Sequence, residues 1–136
     1  MRLKRVVTPH QNENDCWNIV IAKALDMPYD QVRKEMSPLM QPNGSMLHND
    51  TMVYLTSKSR DWFYVDLHKK VNIVKDVMKV MRLHKYVLAT YDPRKLQHHL
   101  SYVDGRKLYT TSDTDECFND RVDGVWFMDN TPVAPR

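Results

Sequence analysis

The sequence predicts an α+β protein in which helices come first and a mostly antiparallel sheet follows. Three segments of the N-terminal half space their apolar residues at helical intervals, and later runs are rich in aromatic and β-branched residues. Between two of these runs stands the pair Asp104-Gly105, a strong hairpin signal. A chain of 136 residues is long enough for one core. We therefore expect a single domain over residues 1–136.

The N-terminal helices are predicted over residues 16–25, 27–36 and 49–58, and Asn14 or Asp15 would cap the first of them. One further helix is expected among the strands, which keeps the layout α+β rather than alternating. These later elements are strands over 61–67, 85–91, 99–103, 106–112 and 122–128, and a helix over 71–82.

Composition and charge argue against a membrane-spanning, secreted or nucleic-acid-binding protein. Apolar residues make up 42% of the chain and charged residues 27%, values ordinary for a folded protein. No apolar run approaches the roughly 18 residues of a membrane helix, and "MRLKRVV" at the start lacks the apolar segment of a secretory signal. We expect a cytoplasmic protein. The net charge of +3 comes from basic residues scattered among acids, which does not indicate a nucleic-acid partner.

The two cysteines, Cys16 and Cys117, are expected to be free thiols because the chain carries no secretion signal. They are too few for a cysteine-only zinc site, and no metal or cofactor is predicted. A mixed metal site from His98, His99 and Cys117 is an alternative. It is disfavoured because adjacent histidines diverge on a strand.

Cys16 falls in the first turn of the first predicted helix. The helix dipole and the unpaired N–H groups there stabilise a thiolate, and the same N–H groups can hold an oxyanion. The alternative is a small buried thiol with a packing role. A reactive Cys16 would be alkylated well below the pH at which an ordinary thiol reacts.

A reactive thiol needs a base, and His99 is placed to supply it. His99 opens a strand that turns at Asp104-Gly105 and returns, so residues near the end of the returning strand become its neighbours. Asp113 and Asp115 lie in about the right place to orient its imidazole.

Three segments together resemble the small papain-like cysteine peptidases of bacteriophages. They are "NDCW", "ALDMPYDQVRKEM" and "HLSYVDGRKLYTTSD", and the likeness extends from about Asn12 to Phe127. In that family a cysteine begins the first helix, and a histidine begins a strand whose hairpin partner brings an aspartate or asparagine. The resemblance implies a papain-like fold with Cys16 as nucleophile and His99 as general base. His98 is the alternative base.

The third catalytic residue departs from the family pattern. That pattern has an aspartate directly after the tyrosine of the returning strand, where this chain has Thr110, so Asp113 is the nearest substitute. Papain-like enzymes also use a side-chain amide upstream of the nucleophile to hold the oxyanion. Gln11 is the expected donor, with Asn12 and Asn14 as alternatives.

The resemblance implies a cysteine hydrolase that cleaves an amide, isopeptide or thioester bond in a protein or peptide, without a cofactor. A phage-encoded enzyme of this kind would act in the cytoplasm of the host cell. The alternative is a catalytically inactive papain-like module that binds a host or virion protein. The Thr110 departure favours that alternative.

Overall fold

The computed structural model describes residues 2–58, 62–67, 72–93 and 96–128. The helices are α1 (Cys16–Leu25), α2 (Tyr29–Met36), α3 (His48–Lys58) and α4 (Val74–Val80). The strands are β1 (Lys4–Val7), β2 (Trp62–Asp66), β3 (Lys85–Asp92), β4 (Gln97–Asp104), β5 (Lys107–Thr110) and β6 (Arg121–Met128). In this part of the chain no helix combines the length and the apolar character needed to cross a bilayer.

The predicted α+β class is confirmed: the first three helices precede most of a six-stranded, mostly antiparallel sheet. The predicted first residues of one strand and one helix, Asp61 and Val71, lie outside the described residues. The short strand β1 was not predicted. It lies at the sheet edge with every residue exposed or half-buried, so it lacks the apolar alternation that marks a strand.

The strands are ordered β1-β5-β4-β3-β6-β2. Neighbouring strands are antiparallel except β1 and β5, which run parallel. The predicted hairpin joins β4 to β5, with Asp104 paired to Lys107 and Gly105 in the turn at φ 62°. Positive φ is the conformation that favours glycine.

Each face of the sheet has its own core. Trp17, Val20 and Ile21 of α1 are almost fully buried with residues of α2, α3 and Leu100, and each contributes about 2 kcal/mol of apolar burial. Val74 and Met78 of α4 pack on the opposite face with residues such as Tyr86, Leu88, Val103 and Leu108. We call these the α1 face and the α4 face.

Side chains of a strand point alternately to the two faces, and this separates the two adjacent histidines of β4. Leu100 belongs to the α1 core and Val103 to the α4 core. His98 therefore lies on the α1 face, and His99 lies on the α4 face.

Candidate active site

The loop before α1 is organised around the carboxylate of Asp15, which is fully buried. Asp15 occupies the N-cap position, as predicted, but its side chain makes no capping hydrogen bond to α1. It accepts hydrogen bonds instead from the backbone N–H groups of Gln11 (2.9 Å) and Asn12 (2.8 Å) and from the Tyr29 hydroxyl (2.7 Å). His10 completes the set, with Nδ1 2.5 Å from Asp15 Oδ1.

Burial of Asp15 opposes its ionisation, but the hydrogen bonds from Tyr29, His10 and the two backbone N–H groups outweigh burial and lower the pKa. The group is therefore a carboxylate at neutral pH. Sequence reasoning identified Asp15 only as a helix cap. Nothing in the local pattern indicates that its side chain turns back into the preceding loop.

Cys16 is the first residue of α1 and is half-buried. The backbone N–H groups of Leu100 and Trp17 lie near its sulfur and favour the thiolate. The continued register of the hairpin puts Thr110, the last residue of β5, opposite Ser101. Leu100 thus lies just past the end of the neighbouring strand, where its N–H is available to the thiol.

Burial raises the pKa of Cys16 above its usual value of 9.0. The hydrogen bonds from Leu100 and Trp17 lower the pKa but do not compensate, and the nearby Asp15 charge raises it further. Cys16 is a neutral thiol at pH 7 in this structure. The expectation of a thiolate stabilised by the helix start is therefore wrong for the unliganded protein, because desolvation outweighs the N–H groups.

Cys16 opens onto a cavity of about 670 Å³. Both predicted bases, His98 and His99, contribute to the lining of this cavity, His98 from the α1 face and His99 from the α4 face. The rest of the wall comes from two loops and the start of β4: His10, Asn12, Glu13, Asn14, Trp17, Asn43, Gly44, Ser45, Leu96 and Gln97.

Gln11, the predicted oxyanion donor, does not line the Cys16 cavity. It is exposed, and its backbone N–H is used to bind Asp15. The alternatives Asn12 and Asn14 do line the cavity. Asn12 uses its side-chain amide to donate to the Tyr29 hydroxyl (3.1 Å).

A second cavity of about 320 Å³ opens on the α4 face and shares His10, Gln97 and His99 with the first. Asp113 and Thr110 line it. Of the two predicted bases, only His99 borders both the space next to Cys16 and the space next to Asp113. Asp115, the other predicted orienting carboxylate, is exposed and binds Arg5 (2.9 Å).

His98 lies near a carboxylate that the sequence did not reveal. Its Nδ1 is 3.5 Å from Oδ2 of the buried Asp123, and Oδ1 of Asp123 accepts from Arg121 Nε (3.1 Å). The Tyr91 ring packs on His98 with 5.0 Å between centroids. The register of β6 shifts beside Asp123, and this irregularity gives no signal in the sequence.

The residues of the alternative metal site do not converge. Cys117 lines the second cavity with His99, whereas His98 lies on the other face of the sheet. Within the described residues, no group of three His, Cys, Asp or Glu side chains is arranged to hold a metal ion. Both cysteines are free thiols, as expected, and burial raises the pKa of Cys117 to about 11.

Comparison with known proteins gives no match: no protein-family model, curated protein or solved structure is significantly similar to the chain. The resemblance to papain-like peptidases therefore depends on the three sequence segments. Function has to be argued from the chemistry of the site.

Proposed function

We propose that this protein is a papain-like cysteine hydrolase that cleaves an amide, isopeptide or thioester bond in a protein or peptide. Cys16 is the nucleophile and His99 the general base. One observation carries the proposal: the Cys16 thiol lies at the start of a helix and opens onto a cavity whose lining includes His98 and His99. A thiol with only a packing role needs neither the cavity nor the imidazoles.

Because the Cys16 thiol is neutral, its proton has to be removed as the sulfur attacks the substrate. His99 accepts the proton from Cys16 as the sulfur attacks the carbonyl carbon. Negative charge develops on the carbonyl oxygen next to the N–H groups at the start of α1. His99 then gives the proton to the leaving group and the carbon–heteroatom bond breaks. Water hydrolyses the remaining thioester, which releases the acid and restores the Cys16 thiol.

The choice of His99 over His98 is supported by its position between the two cavities, with Cys16 on one side and Asp113 on the other. An imidazole in this position can meet both a nucleophile and an orienting group. Asp113 is the proposed orienting residue. His98 has its own nearby carboxylate, but a separation of 3.5 Å is long for a hydrogen bond.

The second candidate is a catalytically inactive papain-like module that binds a host or virion protein. Thr110 favours it, since a threonine stands where the family has its carboxylate. The raised pKa of Cys16 favours it too, because a neutral thiol without an effective base is unreactive. If the gene belongs to a phage, either protein would work in the host cytoplasm.

The two candidates are distinguished by acylation with p-nitrophenyl acetate. A hydrolase releases a burst of one nitrophenolate per chain and carries an acetyl group on Cys16, located by peptide mass spectrometry. Cys16→Ser abolishes the burst and Cys117→Ser preserves it, while His99→Ala slows it by about 10²–10⁴. His98→Ala has the smaller effect of the two histidine variants.

The hydrolase proposal fails if the folded protein shows no Cys16-dependent burst, and the binding module then replaces it. A larger loss in His98→Ala than in His99→Ala would keep the hydrolase and transfer the base to His98. Once acylation is established, a fluorogenic peptide library tests whether amides are cleaved.

A further inference from the structure

His10 lines the Cys16 cavity and has its ring held by a buried carboxylate. Its Nδ1 lies 2.5 Å from Asp15 Oδ1, and that carboxylate is itself fixed by Tyr29 and two backbone N–H groups. Arg33 donates in turn to the Tyr29 hydroxyl (2.8 Å). The half-exposed His10 imidazole is therefore held by a buried carboxylate, Asp15, that is itself fixed by several hydrogen bonds.

The contact with Asp15 determines which nitrogen of the His10 ring is available to a ligand. A carboxylate has no proton to give, so Nδ1 must carry the proton that is shared with Asp15. Nε2 is then the nitrogen left for the cavity, and His10 lines both the Cys16 cavity and the neighbouring one. In the protonated ring Nε2–H is a hydrogen-bond donor.

The loop thus provides a histidine where an amide was expected. Gln11 is exposed and outside the cavity, whereas the residue before it lines the cavity and is rigidly oriented. Groups that stabilise a developing charge are effective when they are oriented before the reaction starts.

The geometry points to His10 as a further catalytic residue: its protonated ring, held in place by Asp15, donates from Nε2–H to the scissile carbonyl oxygen. This inference rests on the proposed hydrolase function. Asp15 is a positioning residue in it, because it acts only through His10.

Two substitutions separate this role from a structural one. His10→Asn keeps a nitrogen near the position of Nδ1, so it can still bind Asp15, but it has no group in place of Nε2. His10→Gln places an amide nitrogen near the position of Nε2. A purely structural His10 predicts that His10→Asn is the milder change, and a catalytic His10 predicts the reverse.

Two reagents complete the test. Acetylation of Cys16 by p-nitrophenyl acetate passes through an oxyanion, whereas alkylation by iodoacetamide does not. We expect His10→Asn to slow acetylation by about 10² and to change alkylation by less than about twofold. His10→Gln should recover at least about a tenth of the lost acetylation rate.

Each outcome decides the inference. Equal losses of acetylation and alkylation in His10→Asn would show that His10 only supports the loop, and unchanged acetylation would show that it has no part in catalysis. In both cases the wild-type burst at Cys16 would stand, so the hydrolase proposal would survive. Absence of that burst in the wild type overturns both proposals.

Discussion

Thr110 of β5 and His99 of β4 line the same cavity on the α4 face of the sheet. Leu108 and Val103, paired across the hairpin, both belong to the α4 core. Thr110 lies two residues after Leu108 and His99 four residues before Val103, so both point to the same face. Thr110 is therefore on the face and in the space where an orienting carboxylate would meet the imidazole. The departure from the papain-like pattern therefore lies beside the proposed base, His99.

Replacing Thr110 by aspartate should raise the activity of the site. A carboxylate there would hold the His99 ring and stabilise the imidazolium formed when Cys16 attacks. We expect Thr110→Asp to speed Cys16 acetylation by p-nitrophenyl acetate about tenfold or more at pH 7. Because Thr110 is buried, a thermal unfolding experiment should accompany the assay.

Lys107→Asp is the matched control, since Lys107 is an exposed residue of the same strand, points to the other face of the sheet and lines neither cavity. It should leave the acetylation rate within about twofold of wild type. No gain from a folded Thr110→Asp would argue against His99 as the base and in favour of His98, which lies on the opposite face.

The reactivity of Cys16 should rise only at high pH. Burial raises its pKa above the usual 9.0, so the thiolate fraction in the unliganded protein is small at neutral pH and grows only above that value. We expect iodoacetamide labelling, followed by peptide mass spectrometry, to have its midpoint above pH 9.0. A midpoint near pH 6 would mean instead that a histidine forms an ion pair with the thiolate.

Local signals in the sequence predicted the elements that carry the site. The start of α1 at Cys16 and the hairpin at Asp104-Gly105 depend on neighbouring residues, and both were predicted. The raised pKa of Cys16 was not predicted, because it depends on how deeply the fold buries the thiol and on the backbone N–H of Leu100, a residue distant in sequence. The parallel pairing of β1 with β5 is likewise a contact between segments that are far apart in the sequence.

The side chains that support the imidazoles were also beyond sequence reasoning. Asp15 carries a helix-cap signal, yet its carboxylate binds His10 and the preceding loop. Asp123 approaches His98 only because the register of β6 shifts next to β3. The direction in which each carboxylate points cannot be predicted from residue spacing, because it depends on the path of the backbone in the folded protein.

Asp15 should be one of the residues on which stability depends most. Asp15→Asn replaces a buried carboxylate by an amide whose NH₂ group faces donors, and we expect a loss of about 2–3 kcal/mol in the free energy of unfolding at pH 7. Urea denaturation measures the loss. Glu13→Gln, an exposed change in the same loop, should stay within about 0.5 kcal/mol of wild type.

The cost of Asp15→Asn should depend on pH in a defined direction. The pKa of Asp15 is lowered below 3.8 in the folded protein, so its stabilisation is complete above the unfolded pKa and is lost as the pH falls through the folded one. The difference between wild type and Asp15→Asn should therefore be present at pH 5 and shrink below about pH 4. A constant difference down to pH 2 would contradict the ionised, hydrogen-bonded Asp15.

Gly44 should link the shape of the Cys16 cavity to its reactivity. It has φ 83°, and an added Cβ would overlap the backbone carbonyl of Asn14, which belongs to the loop before α1. Gly44→Ala must therefore push that loop away, and a displacement of about 1 Å in a reacting site can cost up to about 10² in rate. We expect it to slow Cys16 acetylation at least about tenfold.

Gly105→Ala provides the comparison, because Gly105 also has a positive φ, 62°, but lies in the β4–β5 turn away from the cavity. Both variants should lose about 1–2 kcal/mol from the left-handed conformation, and Gly44→Ala should lose more through the clash with Asn14. Only Gly44→Ala should alter the acetylation rate of Cys16. If both variants slow acetylation equally, the loss of rate reflects global stability. The loop that contains Gly44 would then have no specific part in shaping the site.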